Sequence, residues 1–146
     1  MEPIRYSLFL DNKSNHNINV LIGNLPPAKN YPDTALPDSM HYGNIIKVTC
    51  TGQTKNGACR VWSRELKWTE WVESLPLDTF SLFLFDTDTL ACYSWNEIKT
   101  EYKILQRYDL SSEDMKKLLD EHERVIIPYP PTDVMKDMKM YPPYGQ

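Results

Sequence analysis

A chain of 146 residues with 41% hydrophobic and 25% charged side chains has the make-up of one ordinary globular domain, able to bury roughly 68–70% of its unfolded surface without disulfide or metal staples. A formal net charge of -4 and a pI ≈ 5.3 oppose sequence-independent binding to nucleic acid; the densest basic stretch, Arg60 to Lys67, is broken by Glu65 and followed by Glu70 and Glu73. No apolar run reaches the length of a membrane span, and the N-terminal MEPIRYSLFLDNKSN has neither the basic n-region nor the apolar h-region of a signal peptide.

Alternation begins at once. Ile4, Tyr6, Leu8 and Leu10 share one face of a half-buried strand, and the cluster Asp11 to Asn15 is a turn. A second strand places Ile18, Val20 and Ile22 inward and Asn17 and Asn19 outward, and its closeness predicts a hairpin with the first. Residues 24–43 carry four prolines and read as a long loop of the kind that is often functional. A third strand over Ile46, Val48 and Cys50 enters an Asn56-Gly57 turn, with Cys59 to Arg64 as its expected partner.

Trp68, Trp71, Val72 and Leu75 fall at i, i+3, i+4 and i+7, the stripe of a short helix starting near Thr69 and ended by Pro76; that spacing reads as core rather than as a stacking platform. Phe80 to Phe85 is apolar on both faces, as in a central strand covered on both sides, and Asp86 to Thr89 is its exit turn. Ser94 with Glu97 predicts a capping box opening a helix from Trp95 to about Tyr102, with Tyr93 stapling Ile98. Lys103 to Leu110 is the next strand. Ser111 with Asp114 repeats the box and opens a helix over 112–121, with Leu110 against Met115 as its staple. Arg124 to Tyr129 is the last strand of a core spanning 1–131. The tail 132–146 is expected to lie across a sheet edge with its Met and Tyr side chains packed, within a single domain over 1–146.

Cys50, Cys59 and Cys92 show no metal-site spacing. Cys50 and Cys59 could form a cross-strand disulfide, but the reading taken is three reduced, mostly buried thiols. Asp86 and Asp88, two apart at a strand end, are a pair that can hold a divalent cation; a solvated turn is the commoner use. His16, His41 and His122 share no metal spacing, and no nucleophile elbow is present. Arg107 and Asp109 point to the same face of their strand, suiting an anionic ligand or, more commonly, structural pairing.

The stretch DTFSLFLFDTDTLACYSWNEIKTEYKILQRYDLSSEDMKKL, the YPP at 129–131 and the tail MKDMKMYPPYG, together with KSNHNI at 13–18 and YPDTALP at 31–37, resemble a family of small proteins common in gut Bacteroidota. The likeness covers 79–146 well, is patchy before it and is weakest over 51–66. It implies no activity and no site residues. Many of the proteins it resembles carry a lipoprotein signal peptide, which implies the periplasm or cell surface; a natural start at Met1 would instead imply the cytoplasm.

The fold expected is mainly β, a sandwich of Ig-like or jelly-roll-like type with two or three short helices in its crossovers; the alternative is an α+β single sheet with helices on one face. The function expected is a non-catalytic binding or interaction domain for an unknown protein partner or small ligand, without cofactor, metal or nucleic acid. A small-substrate or metal-dependent enzyme and a carbohydrate-binding domain are the alternatives. The surface expected to do the work comprises Asp86, Asp88, Tyr31, Tyr42, Tyr141 and Tyr144.

Overall fold

The computed structural model describes residues 5–23, 46–50, 59–74 and 78–145, with only the backbone of 46–50 and of 64. Among the described residues, eight strands form two sheets. In the first, β4 (Cys59–Arg64), β1 (Tyr6–Asn12) and β7 (Val125–Tyr129) lie side by side, with β1 antiparallel to β4 and parallel to β7. In the second the order is β3 (Ile46–Cys50), β2 (Ile18–Gly23), β5 (Thr79–Asp86), β6 (Gln106–Ser111) and β8 (Lys139–Tyr141), all antiparallel. The fold is therefore mainly β, as the alternation of apolar residues predicts.

One core fills the space between the sheets. Leu8, Leu10, Val61, Val125 and Ile127 face it from the first, and Ile18, Val20, Ile22, Phe80, Leu82, Leu84, Tyr108 and Leu110 from the second. On β4 a bulge opposite Leu8 and Phe9 inserts Val61 as an extra residue, so that Val61 and Trp62 both reach apolar packing. Helix α1 (Trp68–Glu73) closes one end with Trp68, Trp71 and Val72 buried. The rings of Trp62, Trp68 and Trp71 meet edge to face, with centroids 5.3–5.5 Å apart. Trp68 and Trp71 are thus core residues and are not available as a stacking platform.

The other face of the five-stranded sheet is covered too. Leu21, Phe83 and Phe85 pack under α3 (Trp95–Glu101), chiefly against Ile98 and Trp95. This is why β5 reads as apolar on both faces: Phe80, Leu82 and Leu84 fill the inter-sheet core while Phe83 and Phe85 sit beneath the helix. Helices on one outer face, expected only of the single-sheet alternative, are here combined with a sandwich.

Both predicted hairpins are overturned. β1 and β2 belong to different sheets, as do β3 and β4. Asn12 turns the first corner: its Oδ1 accepts from the backbone N–H and the hydroxyl of Ser14, and its Nδ2 donates to the carbonyl of His16. An Asx turn of this kind redirects the chain as readily as it reverses it. The Asn56-Gly57 turn lies outside the described residues, as does Pro76. The last predicted helix is shorter than its pattern. Helix α4 (Ser112–Lys117) gives way to a tight loop in which the Asp120 carboxylate accepts from the backbone N–H groups of His122 and Arg124, at 2.8 and 2.9 Å. Burial would raise the Asp120 pKa, but these bonds and the Arg124 side chain hold it below the usual range. Leu118 then hands the chain to β7 through the N–H of Ile126.

The Ser111 box is complete: its hydroxyl accepts from the N–H of Asp114 and the Asp114 carboxylate accepts from the N–H of Ser111. Leu110 and Met115 are fully buried in the same cluster. Ser111→Ala is expected to cost about 1 kcal/mol, measured as a lower urea midpoint with unchanged slope. The Ser94 box is only half made. Ser94 accepts from the N–H of Glu97, but its hydroxyl donates to the Glu97 carboxylate. Tyr93 makes no staple; it is 42% exposed.

The tail runs along the edge of the five-stranded sheet. Met135, Met138 and Met140 are buried, β8 pairs with β6, and Gln106 Nε2 donates to the carbonyl of Pro142. The Tyr129-Pro130 and Tyr141-Pro142 bonds of the two Tyr-Pro-Pro triplets are both cis. Cys59 is disulfide-bonded and Cys92 is free and exposed, which corrects the expectation of three reduced and mostly buried thiols.

Candidate functional site

Asp86 ends β5, but the residues after it are not an exit turn. They form helix α2 (Thr87–Cys92), with Asp86 as its N-cap accepting from the N–H of Asp88 at 2.8 Å. None of the six residues TDTLAC is fully buried and only Leu90 packs against the outer core cluster, so the helix has no amphipathic stripe to betray it. It is held by its ends. Thr87 donates from its backbone to the carbonyl of Asn17 at 2.8 Å and from its hydroxyl to Asn19 Oδ1 at 2.6 Å, tying it to the corner before β2 and to the start of β2 itself.

That corner also brings His16 to Asp86, and the imidazole Nδ1 pairs with Asp86 Oδ2. Partial burial alone would raise the Asp86 pKa. The hydrogen bonds from His16 and from the backbone of Asp88 outweigh it and hold the carboxyl below the usual range. Tyr129 lies close enough that its own pKa is raised, first by burial and then by the charge of Asp86. Because the folded-state pKa of Asp86 is depressed, its contribution to stability is present above the unfolded value near 3.8 and is lost as pH falls through the folded value. Asp86→Asn keeps a good N-cap and removes the charge. Its stability is expected to fall less steeply than that of the wild type as pH is lowered below about 5, measured by urea unfolding at stepped pH.

Asp86, Thr89 and Tyr93 lie at i, i+3 and i+7 along α2 and its C-cap. Opposite them run Lys103, Ile104 and Leu105, and the two walls enclose an open cleft of about 230 Å³. Lys103 to Leu105 were expected in a strand. They lie outside β6 because Tyr102 caps α3 in the left-handed conformation, φ 54°, and the next N–H groups go to Ile98, Tyr102 and Leu84. The Lys103 ammonium sits 4.3 Å from the centre of the Tyr93 ring and 2.8 Å from the Glu101 carboxylate. Its pKa is raised by that Glu101 hydrogen bond, against a smaller effect of burial.

The remaining expected site residues scatter. Asp88 is exposed on the first turn of α2 and does not converge with Asp86. Tyr141 packs its ring on Tyr102 at 5.5 Å, and the Tyr144 hydroxyl donates to Asp133. Tyr31, Tyr42 and His41 lie outside the described residues. His122 is exposed beside Glu121. Arg107 and Asp109 pair with each other, at 2.9 Å from Nε to Oδ2, and are buried. Among the described residues no three His, Cys, Asp or Glu side chains gather to hold a metal, and no helix is long and apolar enough to cross a membrane.

No family model matches the chain, and neither curated proteins nor solved structures show significant similarity to it.

Proposed function

We propose that the domain is a non-catalytic binding module whose ligand occupies the cleft between α2 and the segment Lys103 to Leu105. The observation that carries this reading is the lining itself: a carboxylate, a hydroxyl, a half-exposed aromatic ring and an ammonium converge on one concavity. Ligand pockets combine apolar walls with a few placed polar groups in this way. The volume of about 230 Å³ is below the roughly 300–1,000 Å³ of drug-sized sites, so the ligand is small, or is one unit of a larger chain. The acidic balance of the chain argues against nucleic acid as the partner. The disulfide of Cys59 suits an oxidising compartment, in keeping with the envelope location that the Bacteroidota resemblance implies. Alkylation of the unreduced protein followed by peptide mapping is expected to label Cys92 and not Cys59; labelling of both would remove that support.

The test is a titration of ¹⁵N-labelled full chain with a panel of neutral, anionic and cationic small molecules. Saturable shifts of the Thr89, Lys103 and Leu105 amides, with the probes recovered unchanged, are expected. If no class of probe moves these amides, the reading fails. The His16–Asp86 pair supports one second reading, an imidazole oriented by a carboxylate as a general base. Conversion of a probe that His16→Ala abolishes would establish that reading in place of the first.

A further inference from the structure

Resting on the binding reading above, we infer that the ligand class of the α2 cleft is polyhydroxylated and uncharged, a sugar unit. Each charged group in the cleft already has a polar partner. Asp86 is paired with His16, and Lys103 with Glu101. An anionic ligand on Lys103 would have to displace Glu101, and a cationic ligand on Asp86 would compete with His16. Neutral hydroxyl groups compete with neither, and the pairs still leave hydrogen-bonding capacity. A carboxylate has about four lone-pair sites, so Asp86 retains acceptor capacity beyond its bonds from His16 and from the backbone of Asp88 and Thr89. An ammonium has three donors, of which Glu101 takes one. The Thr89 hydroxyl can donate and accept. Acceptors on one wall and donors on the other suit groups that do both at once, which is the property of adjacent hydroxyls on a ring.

The apolar half of the match is Tyr93. It is one of three large hydrophobic side chains left exposed among the described residues, the others being Leu66 and Val134, and it alone lines the cleft. The Lys103 ammonium covers one face of its ring, 4.3 Å from the centre, while the residue as a whole stays 42% exposed. An aromatic surface next to hydrogen-bonding groups accommodates a ligand whose faces are C–H and whose rim is O–H. The cleft volume of about 230 Å³ admits a single ring of that kind.

The experiment uses the labelled full chain and four probes: methyl β-glucoside, methyl β-galactoside, succinate and propylammonium. At least one glycoside is expected to shift the amides of Thr89, Tyr93, Lys103 and Leu105 saturably, with a millimolar Kd, and succinate and propylammonium are not. Tyr93→Ala is expected to weaken that binding about tenfold, equivalent to about 1.4 kcal/mol, and Tyr93→Phe to restore most of it. Tyr93 is exposed, so both variants are expected to fold, and their amide spectra verify it. Shifts from succinate or propylammonium with none from the glycosides would overturn the sugar class and leave the cleft a binding site. Glycoside shifts away from the cleft would overturn it too. Silence from all four probes overturns the sugar class, while the wider panel still decides whether the cleft binds anything.

Discussion

Arg107→Ala is expected to destabilise the protein by about 3–5 kcal/mol, seen as a loss of roughly 10 °C or more in Tm. Arg107 and Asp109 are each 2% exposed on the helix-covered side of the five-stranded sheet. The guanidinium Nε donates to both carboxylate oxygens, at 3.2 and 2.9 Å, its Nη1 donates to the Tyr102 hydroxyl at 3.2 Å, and its Cζ lies 5.1 Å from the centre of the Phe83 ring. Removing the cation leaves the Asp109 carboxylate buried, with the Ser81 hydroxyl at 2.6 Å as its other donor. The cost of the variant is mainly that stranded charge rather than the attraction lost. The double variant Arg107→Met, Asp109→Leu has no charge to strand, and is expected to lie within about 2 kcal/mol of the wild type or above it. Lys116→Ala is the contrasting control. Its pairing with Glu113 at 3.0 Å is exposed, and its loss is expected to leave the urea midpoint essentially unchanged. A double variant as unstable as Arg107→Ala alone would show that shape, not charge, sets the cost at this position.

The two-residue spacing of Arg107 and Asp109 was legible because a strand has a period of two. The same holds for the inward faces of β1 and β2 and for the double-sided burial of β5. Caps were legible because their chemistry is local: Ser111 and Asp114 find one another across a single turn. What could not be read was where the strands go. Alternation sets which face of β1 and β2 turns to the inter-sheet core, but a sandwich buries that face whether two neighbouring strands pair or cross between sheets; the covering of β2's other face, where Asn19 and Leu21 are buried, was not legible. The Asn12 turn serves either outcome. The helix over 112–121 shows the complementary limit, since Asp120 bonds the backbone of the loop instead of continuing the turn.

The candidate site divides along the same line. Asp86 was legible as an acid at a strand end, but was read with Asp88 as a solvated exit turn rather than as an N-cap, because no residue of α2 is fully buried and the helix leaves no periodic trace. Thr89, Tyr93 and Lys103 were not singled out. They come together only because Tyr102 adopts the left-handed conformation and turns Lys103 to Leu105 back along α2. A signal was present in Asp86 itself: an aspartate followed by Thr-Asp-Thr is an N-cap with an acidic first turn.

Trp68→Ala is the second large expected effect, a loss of about 3–5 kcal/mol. Trp68 is 1% exposed and meets Trp62 and Trp71 edge to face at 5.5 Å. It also begins a helix that has little else to hold it. α1 has six residues, Lys67 provides no side-chain cap, and isolated helices shorter than about 12–15 residues are marginal in water. Its helical state therefore depends on docking Trp68, Trp71 and Val72 into the core that also contains Met115 and Leu118. Loss of Trp68 is expected to remove amide exchange protection across α1 before global unfolding, in addition to lowering the urea midpoint. Trp68→Phe separates two contributions. Among the described residues the buried indole Nε1 has no hydrogen-bond partner, a state that costs about 1–3 kcal/mol. Phenylalanine removes that donor while keeping an aromatic edge for Trp62 and Trp71, so its net loss is expected to be no more than about 1.5 kcal/mol. If Trp68→Phe proves as damaging as Trp68→Ala, the indole shape rather than apolar burial holds α1 in place.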